Sequence, residues 1–317
     1  MMLTSVQEEF VFSTLSAHGC LPQSAVQSLL KDTQLPTDDL LVALLPLAAR
    51  YSRAPISSFA VGAVILAQGG EGGDEAIGNV YFGANLECAG QSLNFSVHAE
   101  QAAINNAWLH GETQLSTLAI NAAPCGHCRQ FLNELQKIPG APLHILLPSN
   151  EEQGEERVKM TLSEFLPHDF GPSDLGVTHG LLAHEFSHSL SESSSDMPIS
   201  VSSMATLLDE VAHSYAPYSG VYAAVEIEFN SGECFMGRYA ENAAYNPSLS
   251  PVASALSIAA MSLPIGHPMI VTRATLAEVE GPISHRVNTE TALKAFRHEG
   301  GIEGEGNMRF EYIALNT

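Results

Sequence analysis

The chain has 317 residues, which at roughly 150 residues per domain predicts about two domains. Lys and Arg total 13 against 35 Asp and Glu, a formal charge of −22, which excludes a surface built to grip nucleic acid phosphates or anionic lipid. Apolar residues make up 45% and charged residues 15%, so the chain can bury a sizeable core.

The most apolar run, Leu40 to Ala49, is ten residues long and interrupted by Pro46, where a bilayer span needs about 20. The start, MMLTSVQEEF, has no basic region ahead of an apolar one, so no signal peptide is expected. Five cysteines (Cys20, Cys88, Cys125, Cys128, Cys234) are few and odd in number. Two form Cys-x-x-Cys, which suits a metal or redox site in a reducing, cytoplasmic setting better than a disulfide framework.

Residues 1–50 read as a helical extension with breaks at Pro22 and Pro36, and Asp38 is a candidate cap for the helix carrying Leu41, Leu44 and Leu45. Phe59 to Leu66 is a predicted strand, Gly69 to Gly78 a long hairpin loop, and Ile77 to Ala84 the return strand. Ser96 to Gly111 is a predicted helix, with Ser96 as candidate cap and Gly111 as its stop. Ser116 to Ala123 is a strand, Gly126 to Lys137 a helix, and Leu143 to Pro148 another strand. Residues 149–160 read as an acidic loop, and the Ser-rich stretch His184 to Ser200 as an interdomain linker. Strands mixed with helices and opening on a hairpin suggest an α/β/α layering around a mixed sheet.

After that linker the pattern restarts. Ala54 to Leu66 (APISSFAVGAVIL) matches Ala216 to Glu228 (APYSGVYAAVEIE), and FGANLE (Phe82 to Glu87) matches MGRYAE (Met236 to Glu241). His98 follows Glu87 by 11 residues, and Val252 follows Glu241 by the same 11. The second copy therefore sets Val252 and Ser254 where the first has His98 and Glu100, and it holds no second Cys-x-x-Cys. The chain divides into a helical extension (1–50), a polar-cluster domain (51–183), a linker (184–200) and a degenerate copy (201–317).

The polar cluster carries the chemistry. His98-Ala99-Glu100 opens one predicted helix and Pro124-Cys125-Gly126-His127-Cys128 opens another. One imidazole and two thiolates suit tetrahedral zinc with one position open. Backbone N–H groups at a helix start favour the thiolate form. A carboxylate such as Glu100 beside a metal-activated water can take its proton and return it to substrate. Each element alone fits blander roles: a structural zinc, a redox pair, a core histidine. A structural site wants a fourth ligand, which neither His127 nor Cys88 obviously supplies, and a thioredoxin-type pair would leave His-Ala-Glu unexplained. A zinc-stabilised binding module is the non-enzymatic alternative. An intact Glu100 and an open fourth position speak against it.

His-x-Glu followed by Pro-Cys-x-x-Cys is the zinc nucleobase deaminase signature. VHAEQAAI, PCGHCRQF, FGANLE and SSFAVGA resemble cytidine deaminases, and the length, LPHDFGP (Leu166 to Pro172) and the degenerate copy resemble the dimeric two-domain form of enteric bacteria and plants. The resemblance implies duplicated cytidine deaminase-like domains and one Zn²⁺ per chain held by His98, Cys125 and Cys128, with Glu100 as the catalytic proton shuttle. It implies Asn85 and Glu87 on the ribose 3′-hydroxyl and Phe59 stacked on the pyrimidine, with the backbones of Ala99 and Ala123 on the base edge. Phe170 would reach the active site of the other subunit of a homodimer. The implied reaction is hydrolysis of free cytidine and 2′-deoxycytidine in pyrimidine salvage, with no nucleic acid or membrane partner. Read without the resemblance, Phe59 alternates with Val61 as a core strand residue would, and Asn85 and Glu87 fit solvated strand-end positions. Arg129 equally fits a counter-charge to the thiolates or a surface ion pair, and Trp108 fits the core.

Overall fold

The computed structural model describes residues 2–15, 18–69, 77–135, 142–149, 156–183, 191–192, 201–297 and 308–316. The first half runs α1 (Ser5–Thr14), β1 (Cys20–Leu21), α2 (Gln23–Thr33), α3 (Thr37–Ala49), β2 (Gly62–Gln68), β3 (Ile77–Ala84), α4 (Ala99–Leu109), β4 (Leu115–Ile120), α5 (Gly126–Leu132), β5 (His144–Leu147), β6 (Val158–Thr161) and α6 (Leu162–Phe165). The second runs β7 (Ser191–Glu192), α7 (Val201–Ala212), β8 (Ala223–Phe229), β9 (Cys234–Arg238), α8 (Pro251–Ser262), β10 (Val271–Val279), α9 (Arg286–Ala292) and β11 (Arg309–Asn316).

Side chains alternate across a strand with period two, and both faces of the first sheet are apolar, so both must be covered. Val64, Leu66, Val80, Phe82, Ala119 and Leu146 meet the N-terminal helices through Leu29, Leu40, Leu41, Leu44 and Leu45. Ala63, Ile65, Tyr81, Leu118, Ile120 and Ile145 face α4. Strand order is β1-β3-β2-β4-β5-β6, antiparallel except for the β4–β5 pair.

The second sheet repeats the plan. Its order is β7-β11-β10-β8-β9, with β10 and β11 parallel and β8 antiparallel to both β9 and β10. Leu207 and Val211 of α7 cover one face through Ala224, Ala277, Ile313 and Leu315, while α8 covers the other. The helices α4 and α8 pack on each other between the two sheets, so every residue from Ala99 to Trp108 is buried. Four of its eleven residues are alanine, and its buried polar side chains, Gln101, Asn105 and Asn106, find hydrogen-bond partners. Glycine sets the sheet–helix distance in both halves. A Cβ on Gly83 would lie 2.2 Å from Ala103 N, and one on Gly237 2.1 Å from Ala255 N.

Several boundaries differ from the sequence reading. Strand β2 starts at Gly62, three residues late, because Phe59 to Val61 belong to a loop tied down by side chains. Strand β4 ends at Ile120, short of the expected Ala123. The N-cap of α4 is His98 and not Ser96. Helix α5 stops at Leu132, five residues short, and β6 forms inside the expected acidic loop. Asp38 does not cap α3: it lies in the first turn and pairs with Lys159 at 2.8 Å, joining the helix to β6. Most of the expected linker lies outside the described residues, but Ser191 and Glu192 pair with Asn316 and Leu315 at the edge of the second sheet. Trp108 is in the core, as its helix position suggested.

His285 is buried at the start of α9, its ring 4.1 Å from that of Tyr239. Burial pushes its pKa down to about 4, although the nearby Glu278 carboxylate pulls upward. The unfolded chain takes up this proton near pH 6.5 and the folded chain only near 4. Stability from this group is thus complete above pH 6.5 and drains away down to pH 4, by about 3 kcal/mol. We expect His285→Gln to flatten the fall in urea midpoint between neutral and acid pH. An unchanged acid slope in the variant contradicts a buried neutral imidazole.

Candidate metal centre and active site

Two helix starts converge. His98 is the extended N-cap residue of α4 and Cys125 that of α5, with Cys128 in the first turn of α5. His98 N–H donates to Gln101 Oε1 at 3.2 Å, which closes the start of α4. Cys125 Sγ lies 3.6 Å from Cys128 Sγ and 3.5 Å from His98 Nδ1, and Cys128 Sγ lies 3.2 Å from the same nitrogen. Ligand bonds of about 2.0–2.3 Å at tetrahedral angles place donor atoms about 3.5–3.8 Å apart; two of the three separations match and the third, at 3.2 Å, is slightly closer, a set of donors that one zinc ion can bridge. Among the described residues no other group of His, Cys, Asp or Glu meets the spacing for a metal.

The electrostatics ask for a cation. Cys128 is fully buried, and burial raises its thiol pKa, with Glu100 and Cys125 adding to the rise. The helix start favours the thiolate, and burial works against it here. Glu100 is 3% exposed and in hydrogen-bonding contact with Cys128, and burial raises its pKa too. The Cys128 thiol and the Glu100 carboxyl share a buried corner, where the two can ionise together only beside a positive ion.

The strand-end residues sit one β-bridge away. Leu86 exchanges backbone bonds with Val97, the residue before His98, at 2.9 and 2.8 Å. Asn85 Oδ1 accepts from Ser52 Oγ (2.6 Å) and Val61 N (2.9 Å), and its Nδ2 donates to Phe59 O (2.9 Å). Glu87 accepts from Ile56 N (2.8 Å), Ser57 N (3.0 Å) and Ser57 Oγ (2.5 Å). Desolvation pushes the Glu87 pKa up, but those three bonds hold it below the usual carboxylate range. One Asn85 amide proton and a carboxylate lone pair on Glu87 stay available, a donor and an acceptor suited to a hydroxyl.

Phe59 is 61% exposed, which removes the reading of it as core. Ala99 is buried at the start of α4, and Ala123 is exposed in the loop leading to Cys125. Phe170 is 47% exposed; its carbonyl accepts from Gln130 Nε2 (2.7 Å) and Asn133 Nδ2 (3.1 Å), so it is tied to the outer end of α5. Arg129 takes neither expected role: it donates to Pro124 O (2.8 Å) and Phe165 O (3.1 Å) and lies over the Phe165 ring. The sequence reading missed Ser57, which braces Glu87 and also accepts from Phe59 N at 3.0 Å. The signal was in the repeat, where Ser219 takes the same place and accepts from Val221 N at 3.0 Å.

In the second half the scaffold persists and the chemistry does not. Ala240 bridges Tyr215 and Leu249 as Leu86 bridges Arg53 and Val97. Glu241 accepts from Tyr218 N (2.7 Å) and Ser219 N (3.2 Å), as Glu87 does from its own loop. Val252 is buried, and Ser254 Oγ donates to Asn105 Oδ1 of α4 at 2.7 Å.

A duplicated mixed sheet whose first copy brings His-x-Glu and Pro-Cys-x-x-Cys to converging helix starts defines the zinc deaminase class. Two family models, both described as the cytidine and deoxycytidylate deaminase zinc-binding region, match residues 36–140 and 162–290. The cytidine deaminase of Vibrio atlanticus (strain LGP32) is 44% identical over 272 residues, covering 84% of this chain and 83% of that protein. That of Shewanella loihica (strain PV-4) is 46% identical over 278 residues, covering 87% and 86%. A crystal structure of cytidine deaminase from Burkholderia pseudomallei is 27% identical over 42% of this chain and 98% of its own, with a TM-score of 0.33. The chain belongs to the cytidine deaminase family, and His98, Cys125 and Cys128 form its zinc site. No helix among the described residues is long and apolar enough to cross a membrane.

Removing one thiol should cost both metal and stability, because metal binding here is also folding free energy. We expect Cys128→Ala to lower zinc content well below one per chain and to lower the melting temperature. Full zinc occupancy in that variant, by metal analysis, contradicts the ligand set.

Proposed function

We propose that the protein hydrolyses free cytidine and 2′-deoxycytidine to uridine and 2′-deoxyuridine with release of ammonia, in pyrimidine salvage. The observation that carries this is the juxtaposition of three zinc ligands with the buried Glu100 carboxyl. Bound zinc supplies a Lewis acid that makes hydroxide available from water near neutral pH. Glu100 takes the proton from water, delivers it to N3 of the pyrimidine, and carries a second proton to the amine leaving C4. Ala99 and Ala123 offer backbone groups to the base edge, the exposed ring of Phe59 stacks on the pyrimidine, and Asn85 with Glu87 holds the ribose 3′-hydroxyl. A carboxylate at the sugar disfavours a 5′-nucleotide or a polynucleotide, as does the −22 charge. The protein works as a homodimer, with Phe170 of each chain completing the other's site. Exposed Phe59, Phe170 and Ile56 support a covered surface there. Five free cysteines are consistent with a cytoplasmic setting.

Glu100→Gln should keep about one zinc per chain yet lose about 10²–10⁴-fold in turnover, since the shuttle goes and the Lewis acid stays. Retained zinc with turnover near wild type contradicts the role of Glu100. Asn85→Ala should weaken cytidine and deoxycytidine alike, and free cytosine should be a poor substrate of the wild type. Absorbance assays that show rapid loss of free cytosine rule out a nucleoside site. A chain ended after Ser200 should fail to dimerise and lose most activity; a fully active monomer, by size-exclusion with assay, sinks the dimer reading.

A further inference from the structure

We infer that Glu134 is a positioning residue through which the second half holds the metal-bearing helix in place. The inference rests on the reading of Asn85 and Glu87 as a sugar site only for its account of what the second copy has lost. Glu134 lies two residues beyond α5, and its side chain is fully buried. All its carboxylate partners come from the second half. Oε1 accepts from the hydroxyls of Tyr215 (2.8 Å) and Tyr218 (2.5 Å), and Oε2 from Ala243 N (2.8 Å). Among the described residues no ion pair neutralises it, and Glu241 nearby adds repulsion.

These three donors belong to the second half's counterpart of the loop and strand end around Glu87. Tyr215 pairs through its backbone with Ala240, Tyr218 N donates to Glu241, and Ala243 follows two residues later. Where the first copy turns this loop toward a hydroxyl of substrate, the second turns it toward a carboxylate of its own chain. The grip continues along α5. Asn242 Nδ2 donates to Gln130 O (2.9 Å), a second bond from the second half, while Leu181 N of the first half donates to Glu134 O (2.9 Å). Cys125 is the N-cap and Cys128 is in the first turn of a helix only seven residues long, so a shift at its far end moves both sulfurs. Burying a carboxyl without a cation is costly and pushes its pKa up, and three hydrogen bonds offset part of that cost while fixing one geometry.

The test compares zinc-loaded full-length Glu134→Ala, Glu134→Gln and the double variant Tyr215→Phe/Tyr218→Phe with wild type. Leu29→Ala serves as a destabilising control in the N-terminal core. Zinc release to a chromophoric chelator in native buffer should accelerate about 10- to 100-fold in Glu134→Ala and in the double variant. Glu134→Gln should be intermediate, since the two hydroxyls can turn to accept from its amide. Turnover of cytidine should fall with KM little changed, because the sugar and base contacts lie elsewhere. Leu29→Ala should lower the melting temperature without faster zinc release. Zinc release at the wild-type rate in Glu134→Ala, or equal acceleration in Leu29→Ala, overturns the inference. Zinc release is read without substrate, so an absence of deamination by wild type would refute the proposed function and leave this inference standing or falling on its own. If Glu134→Ala does not fold, the tyrosine double variant, which keeps the packing volume, decides the matter.

Discussion

Everything at the site depends on two helices starting a few ångströms apart. Each start supplies unpaired backbone N–H groups and a donor side chain at or next to its cap. His98 comes from α4 and both sulfurs from α5, with donor atoms 3.2–3.6 Å apart. Such an array of soft donors and one buried carboxyl has too much latent negative charge to stand alone. The rest of the molecule holds the two helix starts at that separation. Gly83 lets β3 lie against α4, the bridge between Leu86 and Val97 sets the approach to His98, and Glu134 fastens the far end of α5.

The duplicated plan explains which parts are interchangeable. In both halves a glutamate after the second hairpin strand organises a loop through two backbone N–H groups, and a glycine in that strand admits a helix. Neither device needs a metal or a substrate. The second copy has kept both and turns some of its other polar groups to contacts with the first. Ser254 bonds Asn105, and the loop tyrosines bond Glu134.

Much of this was legible in the residues. The zinc ligands and Glu100 could be picked out because metal chemistry demands particular side chains at particular spacing. The repeat could be read because Gly83 and Gly237 fill the same steric need. Local signals misled where tertiary bonds decide. Ser96 has the better capping side chain, yet His98 ends the extended segment because Val97 is bridged to Leu86. Phe59 alternates with Val61, yet Asn85 and Asn121 hold its neighbourhood out of the sheet. Asp38 looks like a cap but meets Lys159, 121 residues away. Glu134 gave no sign, since its partners are up to 109 residues distant and the cluster contains no cation to mark it.

The burial of α4 on all sides has a consequence for how the chain is made. Its outer face meets α8, and the bonds between Asn105 and Ser254 span 149 residues of sequence. While the ribosome has delivered only the first sheet and its metal ligands, that alanine-rich face has nothing to cover it. The nascent first half therefore waits about 5–20 seconds for α8 at ordinary elongation rates of about 5–20 residues per second. The face of α4 that carries Asn105 is thus among the last in the molecule to reach its final surroundings.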